Sequence, residues 1–292
     1  MLRRAAILAS VAVAFSCSMP TSSFAAELRR EDTIIGSPRV YMIKPDESLL
    51  EIARRHDIGI GAISAANPGV DPFVPDPRSL ILLPTEWILP DAPTRDGIVI
   101  NIAEMRLFVY SRDRPQTVTT FPIGIGDEGK ETPVGTFTVI EKIKDPTWYV
   151  PESIRTERPD LPAVVPPGPD NPLGSHALRL SKPTLMIHGT NRPWGIGDRV
   201  SHGCIRLHQE DIAQLFGMVR RGTRVSIVDQ PVKAAAMGDR VYLQVHDYED
   251  GRNLYREALK VLEAKRLAGR VDLKKTRKAC RERTGLLVDV SR

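Results

Sequence analysis

Residues 186–208 read M-I-H-G-T-N-R-P-W-G-I-G-D-R-V-S-H-G-C-I-R-L-H and hold three of the six histidines and one of the three cysteines. His188 and His202 are each followed by a glycine, Gly189 and Gly203, and Cys204 comes two residues after the second histidine. A thiol attacks only as its thiolate and a free one titrates at about 8.5, so a neighbouring imidazole is its usual activator. Glycine beside each histidine suits a tight turn that exposes backbone N–H groups to a developing oxyanion. The chemistry this set can do is acyl transfer through a cysteine. Two plainer readings compete with it: a buried cysteine that only packs, or a zinc site built from nitrogen and sulfur ligands. The spacings match no compact zinc pattern, so neither a metal nor any other cofactor is expected.

Such a site needs strands and turns to hold it. Residues 177–180 and 185–187 read as strands that deliver His188 to a sheet edge. Residues 205–208 lead into a helical run at 209–216, which places Cys204 ahead of a helix N-terminus, where the positive dipole end favours a thiolate. Upstream, residues 97–102, 106–110, 117–121 and 132–140 alternate with period 2, and residues 222–228 supply a closing strand. Residues 145–175 carry eight prolines together with Trp148 and Tyr149. A stretch of that length serves either as a lid walling a cleft for an extended peptide or as a solvated excursion. His176 has no partner in the sequence and reads as structural.

The pairing of His188-Gly-Thr190 with Ser201-His-Gly-Cys-Ile-Arg206 resembles the signature of L,D-transpeptidase catalytic domains, which remodel bacterial peptidoglycan. Thr132-Pro-Val-Gly-Thr-Phe137 and Pro166-Pro-Gly-Pro-Asp-Asn-Pro-Leu-Gly174 also resemble that family, in its periplasmic, lipoprotein-anchoring branch, and the likeness spans most of residues 97–228. It implies a mainly β, β-sandwich-like catalytic domain with small helices. It also implies a thioester route: Cys204 as nucleophile, His188 as proton acceptor oriented by a backbone carbonyl near Gly189, and His202, Gly203 and the Cys204 N–H on the oxyanion and substrate side. Arg206 stands where the family has Asn or Arg, and a guanidinium there suits bidentate capture of a stem carboxylate. The implied donor is a tetrapeptide stem cleaved between diaminopimelate and D-alanine. The acceptor is a second diaminopimelate, giving a 3→3 cross-link, or the lysine of an outer-membrane lipoprotein. A hydrolase of the same linkage shares the acyl-enzyme, and a non-catalytic peptidoglycan-binding protein is the rival from another class.

The remainder of the chain supplies address and accessory parts. Apolar content of 41% and charged content of 26% place it among ordinary soluble globular chains. Residues 1–25 read as a cleavable signal peptide, with a basic start, an apolar run too short to span a bilayer, and Ser23-Phe-Ala25 at the cleavage site, so a periplasmic location is expected. Cys17 follows a poor lipidation triplet. Loss of Arg3 and Arg4 with that segment takes the net charge from +5 to +3, which gives no case for nucleic acid. Residues 26–39 read as a flexible arm.

Residues 40–84 read strand, two short helices, strand, with a Ser48-x-x-Glu51 capping box. They resemble a lysin motif (LysM) on Tyr41, Asp46, Ser48-Leu49, Ile52-Ala53, Asn67 and residues 80–84. That resemblance implies binding to the glycan strands of peptidoglycan. Residues 84–96 read as a semi-rigid proline-rich linker between modules that fold separately. Residues 240–292 form a C-terminal extension, with one strand at 240–246 followed by two helical stretches. Cys280 has no evident partner.

Overall fold

The structure, a computed structural model, describes residues 24–27, 33–110, 117–247 and 251–292; for residues 24–27 it describes the backbone path. The expected signal peptide up to position 23, Cys17 included, lies outside the described residues. The expected cleavage point after Ala25 falls within a strand, Phe24–Glu27, that pairs with Thr117–Pro122.

The fold is mainly β. Its centre is a nine-stranded sheet in the order Phe24–Glu27, Thr117–Pro122, Arg106–Tyr110, Gly97–Asn101, Arg224–Val228, Gly135–Lys144, His176–Leu180, Met186–His188 and Ile205–Arg206. Two neighbouring pairs are parallel: Gly97–Asn101 with Arg224–Val228, and Met186–His188 with Ile205–Arg206. Side chains alternate between the faces of a strand, so a strand buried throughout must be covered on both. Ile98 and Ile100 turn to a core shared with Leu107, Phe121, Leu178, Ile187 and Ile205. Val99, Phe108, Tyr110 and Val118 turn to a second core with Ile35, Trp87 and Leu89.

The described residues hold six α-helices: α1 (Leu49–Arg55), α2 (Ile60–Ala66), α3 (Glu152–Glu157), α4 (Gln209–Met218), α5 (Leu254–Ala264) and α6 (Leu273–Glu282). Helix α4 covers the first core with Ile212 and Leu215, the apolar pair at helical spacing in that segment.

The N-terminal unit runs strand Arg39–Met42, α1, α2, strand Leu80–Leu83, with the two strands antiparallel. Ser48 and Glu51 form the reciprocal capping box at the start of α1. The end of α2 is pinned by Asn67, whose side chain donates to the Ile63 and Leu82 carbonyls and accepts from the Leu82 N–H. Ile43, Leu49, Ile52, Ile58, Ile63 and Ile81 make the unit's own small core.

Residues 84–96 differ from the linker expected of them. Glu86–Ile88 is a strand paired with Ile34–Gly36, within the stretch read as a flexible arm. Trp87, Ile88 and Leu89 are at most 4% exposed. Proline content suggested a spacer, but three consecutive apolar residues among the prolines are an anchor, and hydrophobic burial decides. The N-terminal unit also sits directly on the catalytic sheet. Arg106, itself buried, donates to the Asp57 carbonyl at 2.7 Å with its guanidinium 4.3 Å over the Trp87 ring. Arg54 pairs with Glu210 of α4 at 3.0 Å, and the Ile60 N–H donates to the Ile196 carbonyl.

The C-terminal extension holds more strand than its sequence suggested. Val232–Met237, Arg240–His246 and Thr284–Asp289 form an antiparallel sheet against which α5 and α6 pack. Two of these strands escaped notice because Val232–Met237 is alanine-rich and Thr284–Asp289 follows a strongly basic helix. The unit is joined to the catalytic domain by Lys233, whose buried ammonium donates to Glu104 at 2.7 Å and to the Ile88 carbonyl. Gln244 adds a bond to the Ile88 N–H.

Candidate active site

The two parallel edge strands bring the two halves of the motif together. Ile187 lies opposite Ile205 and His188 opposite Arg206. Cross-strand partners share a face, so the His188 and Arg206 side chains lie on one face while Ile187 and Ile205 enter the core on the other. Cys204 immediately precedes Ile205, and by the same alternation it belongs to the face of Arg206 and His188.

His188 is buried, and its Nδ1 lies 2.6 Å from the Gly189 carbonyl. A carbonyl only accepts, so Nδ1 carries the proton and Nε2 of the neutral ring keeps its lone pair. Burial first, and the Arg206 charge second, lower its pKa to about 4; the carbonyls of Gly189 and Pro172 oppose them. At neutral pH the ring is therefore an uncharged acceptor. A Cβ at Gly189 would lie 2.8 Å from Gln209 Oε1 and would require that side chain to shift. Gln209 in turn donates to the Thr190 carbonyl and accepts from Ser175, which fixes the turn after His188.

The Cys204 thiol is half-buried and donates to the Thr184 carbonyl at 3.5 Å. Burial raises its pKa, while the Met186 N–H and the Arg206 charge act to lower it. Strand Ile205–Arg206 stands between Cys204 and α4, which begins at Gln209 with His208 as its N-cap.

Gly203 takes φ +100°, a conformation L side chains rarely adopt, and its N–H donates to Ser201 Oγ. Ser201 Oγ donates to the Cys204 carbonyl at 2.6 Å. The buried Thr132 hydroxyl donates to the Gly203 carbonyl at 3.0 Å and accepts from the Gly126 N–H at 2.9 Å. Thr132 thus pins the very peptide whose other end is the Cys204 N–H. The T-P-V-G-T-F motif held this residue in view, but sequence reasoning gave it no role.

His202 is placed apart from His188. Its ring is partly exposed, with Nε2 2.8 Å from Lys130 Nζ and 3.0 Å from Glu157 Oε2. Arg206 is half-buried, its Nε has no hydrogen-bond partner, and Arg192 is a second charge beside it. His176 packs on Phe216 with ring centroids 4.6 Å apart and bonds Ser175, a structural setting. Cys280 is a free, buried thiol, raised to about 11 by burial.

The proline-rich stretch is organised rather than structureless. Trp148–Tyr149 pairs with Val164–Val165, and α3 lies between them. Buried Asn171 staples its base by donating to the carbonyls of Pro146, Val165 and Pro166. Its neighbour Pro172 presents the carbonyl that faces His188. An apolar cavity of about 230 Å³ between α1 and residues 193–196 is lined by Leu50, Ile58, Trp194 and His208 and does not reach Cys204.

A neutral histidine on one edge strand, and a cysteine just ahead of the parallel strand beside it, form a set suited to acyl transfer on a mainly β scaffold. The chain belongs to the L,D-transpeptidase family. The L,D-transpeptidase catalytic domain (YkuD) matches residues 95–227. The probable L,D-transpeptidase ErfK/SrfK of Escherichia coli (strain K12) is 38% identical over 99% of this chain and 98% of its own. Two more from the same strain, YbiS and YcfS, are 44% and 45% identical; the alignments cover 73% and 70% of this chain, and 72% and 66% of theirs.

Proposed function

We propose that this enzyme transfers peptidoglycan tetrapeptide stems through a thioester on Cys204, in the periplasm. The observation that carries the reading is the neutral His188 ring, fixed through Nδ1 by Gly189, on the strand beside Cys204. As Cys204 Sγ attacks the diaminopimelate carbonyl, its proton passes to His188 Nε2. The carbonyl π electrons move to oxygen, where the N–H of Cys204 stabilises the charge. Collapse of that oxyanion breaks the C–N bond, and His188 returns the proton to the departing D-alanine amine. An acceptor amine then attacks the thioester, His188 takes its proton, and Sγ leaves. Arg206, whose charge lowers both the thiol and the imidazole pKa, favours the thiolate and disfavours a resting ion pair with His188.

The acceptor is a second diaminopimelate amine, giving a 3→3 cross-link, or the lysine of an outer-membrane lipoprotein; water in its place gives hydrolysis. The N-terminal βααβ unit, in this reading, holds glycan strands so that stems reach the thiol. Incubation of the pure protein with tetrapeptide muropeptides, followed by mass spectrometry, tests the proposal. Released D-alanine with new cross-linked dimers supports it. Tripeptides without dimers support hydrolysis, and unchanged stems refute both.

A further inference from the structure

We propose that Lys130 and His202 form a carboxylate-binding subsite for the peptide stem, and that Glu157 occupies it in the resting enzyme. The inference rests on the stem-tetrapeptide reading of the donor. Glu157 Oε2 lies 2.7 Å from Lys130 Nζ and 3.0 Å from His202 Nε2, and those two nitrogens are 2.8 Å apart. One ring nitrogen cannot accept a proton from Lys130 and donate one to Glu157 at once. Nε2 therefore either accepts from the Lys130 ammonium or donates to Glu157, and both nitrogens converge on the same carboxylate oxygen. Two nitrogens so close make a seat for a carboxylate, and Glu157, its pKa lowered by Lys130 and then His202, is an ionised one.

Lys130 and His202 belong to the framework and Glu157 does not. His202 lies two residues before Cys204, in a backbone fixed by Ser201 and Thr132. Lys130 is two residues before Thr132, and its N–H is bonded to the Asp127 carbonyl. The 130–131 backbone lies against Gly203, with the Glu131 and Lys130 carbonyls 3.4 and 3.5 Å from where a Cβ would stand. Glu157 instead rides on α3, a six-residue helix without a buried side chain or a side-chain N-cap. Exposed ion pairs hold weakly, so a competing carboxylate displaces it readily. A stem ending in diaminopimelate–D-alanine brings two candidates to this position: the terminal D-alanine carboxylate and the free diaminopimelate carboxylate.

Titration calorimetry on full-length Cys204→Ala protein tests this with three probes: the tetrapeptide, its C-terminal amide, and the peptide amidated at the diaminopimelate carboxylate. Lys130→Ala should weaken binding of the tetrapeptide about fivefold, and Glu157→Gln should tighten it by a similar factor by removing the internal competitor. One of the two amides should bind weakly and become indifferent to Lys130→Ala, which names the carboxylate. Both substitutions shifting affinity in the same direction, or neither shifting it, overturns the subsite alone. Two amides that both behave like the parent peptide overturn it equally. Absence of any tetrapeptide binding overturns the donor reading together with it.

Discussion

Thr132 makes no contact with a reacting atom, yet its replacement by valine should nearly silence the enzyme. Valine keeps the volume and removes the hydroxyl that joins the Gly126 N–H to the Gly203 carbonyl. Thr132 is 3% exposed, so water does not readily replace it. Each buried orphan costs about 1–3 kcal/mol, which lowers stability by about 2–6 kcal/mol against a domain total of about 5–15 kcal/mol. A freed Gly203 carbonyl lets the 203–204 peptide rotate and takes the Cys204 N–H off the oxyanion. Loss of one such donor is worth about 10²–10³ in kcat. D-alanine release by Thr132→Val should fall by that factor with KM little changed, while iodoacetamide still alkylates Cys204 at the wild-type rate. Thr132→Ser should recover most of the loss. Equal kcat for the valine variant and the wild type refutes the reasoning, as does a serine variant no better than valine.

His188→Ala should suppress alkylation of Cys204 near neutral pH, with reactivity returning as pH passes the thiol's raised pKa. His202→Ala should alkylate nearly normally and turn over poorly; the reverse pattern would make His202 the base. Asp211 is buried, its Oδ2 has no hydrogen-bond partner, and burial raises its pKa to about 8, with Asp57 adding to the shift. A raised carboxyl pKa means the folded state holds the proton longer, so its stabilisation is lost as pH rises from the usual carboxylate range through about 8. Asp211→Asn should therefore raise Tm at pH 8.5 and change it little at pH 4; a uniform shift would contradict this. His208, lowered to about 4 by burial, works in the opposite sense: the unfolded chain takes up the proton first, and stability falls as pH drops from about 6.5 to 4. His208→Gln should flatten the thermal melts in that window. Deleting residues 33–90 should unfold the remainder, because it strips Trp87 from Arg106 and the Ile88 carbonyl from Lys233; a cooperative melt of the truncated chain would refute the docking energetics.

The site was legible because its chemistry is local in sequence. The spacing of His188, Gly189, Gly203 and Cys204 points to a nucleophile and a base, and a parallel strand pair sets His188 opposite Arg206, two residues after Cys204. The supports were harder to read because their partners are remote: Thr132 reaches Gly203 across 71 residues, and Lys130 reaches His202 across 72. Period 2 marked the central-sheet strands Gly97–Asn101, Arg106–Tyr110 and Thr117–Pro122, but neither Phe24–Glu27 nor Ile205–Arg206. Composition misled at residues 84–96, where prolines disguised the Trp87–Leu89 anchor. After Cys204 the helix begins at Gln209, as its spacing indicated, with a two-residue strand ahead of it. The capping box at Ser48 was visible because both of its bonds lie within four residues.

Intact-protein mass spectrometry of rapidly quenched mixtures with the tetrapeptide tests the thioester mechanism most directly. The expected result is an adduct equal to the stem without its D-alanine, mapped by digestion to Cys204, present in the wild type and lost in Cys204→Ala. D-alanine release by Cys204→Ala, or an adduct mapping to any other residue, would contradict it.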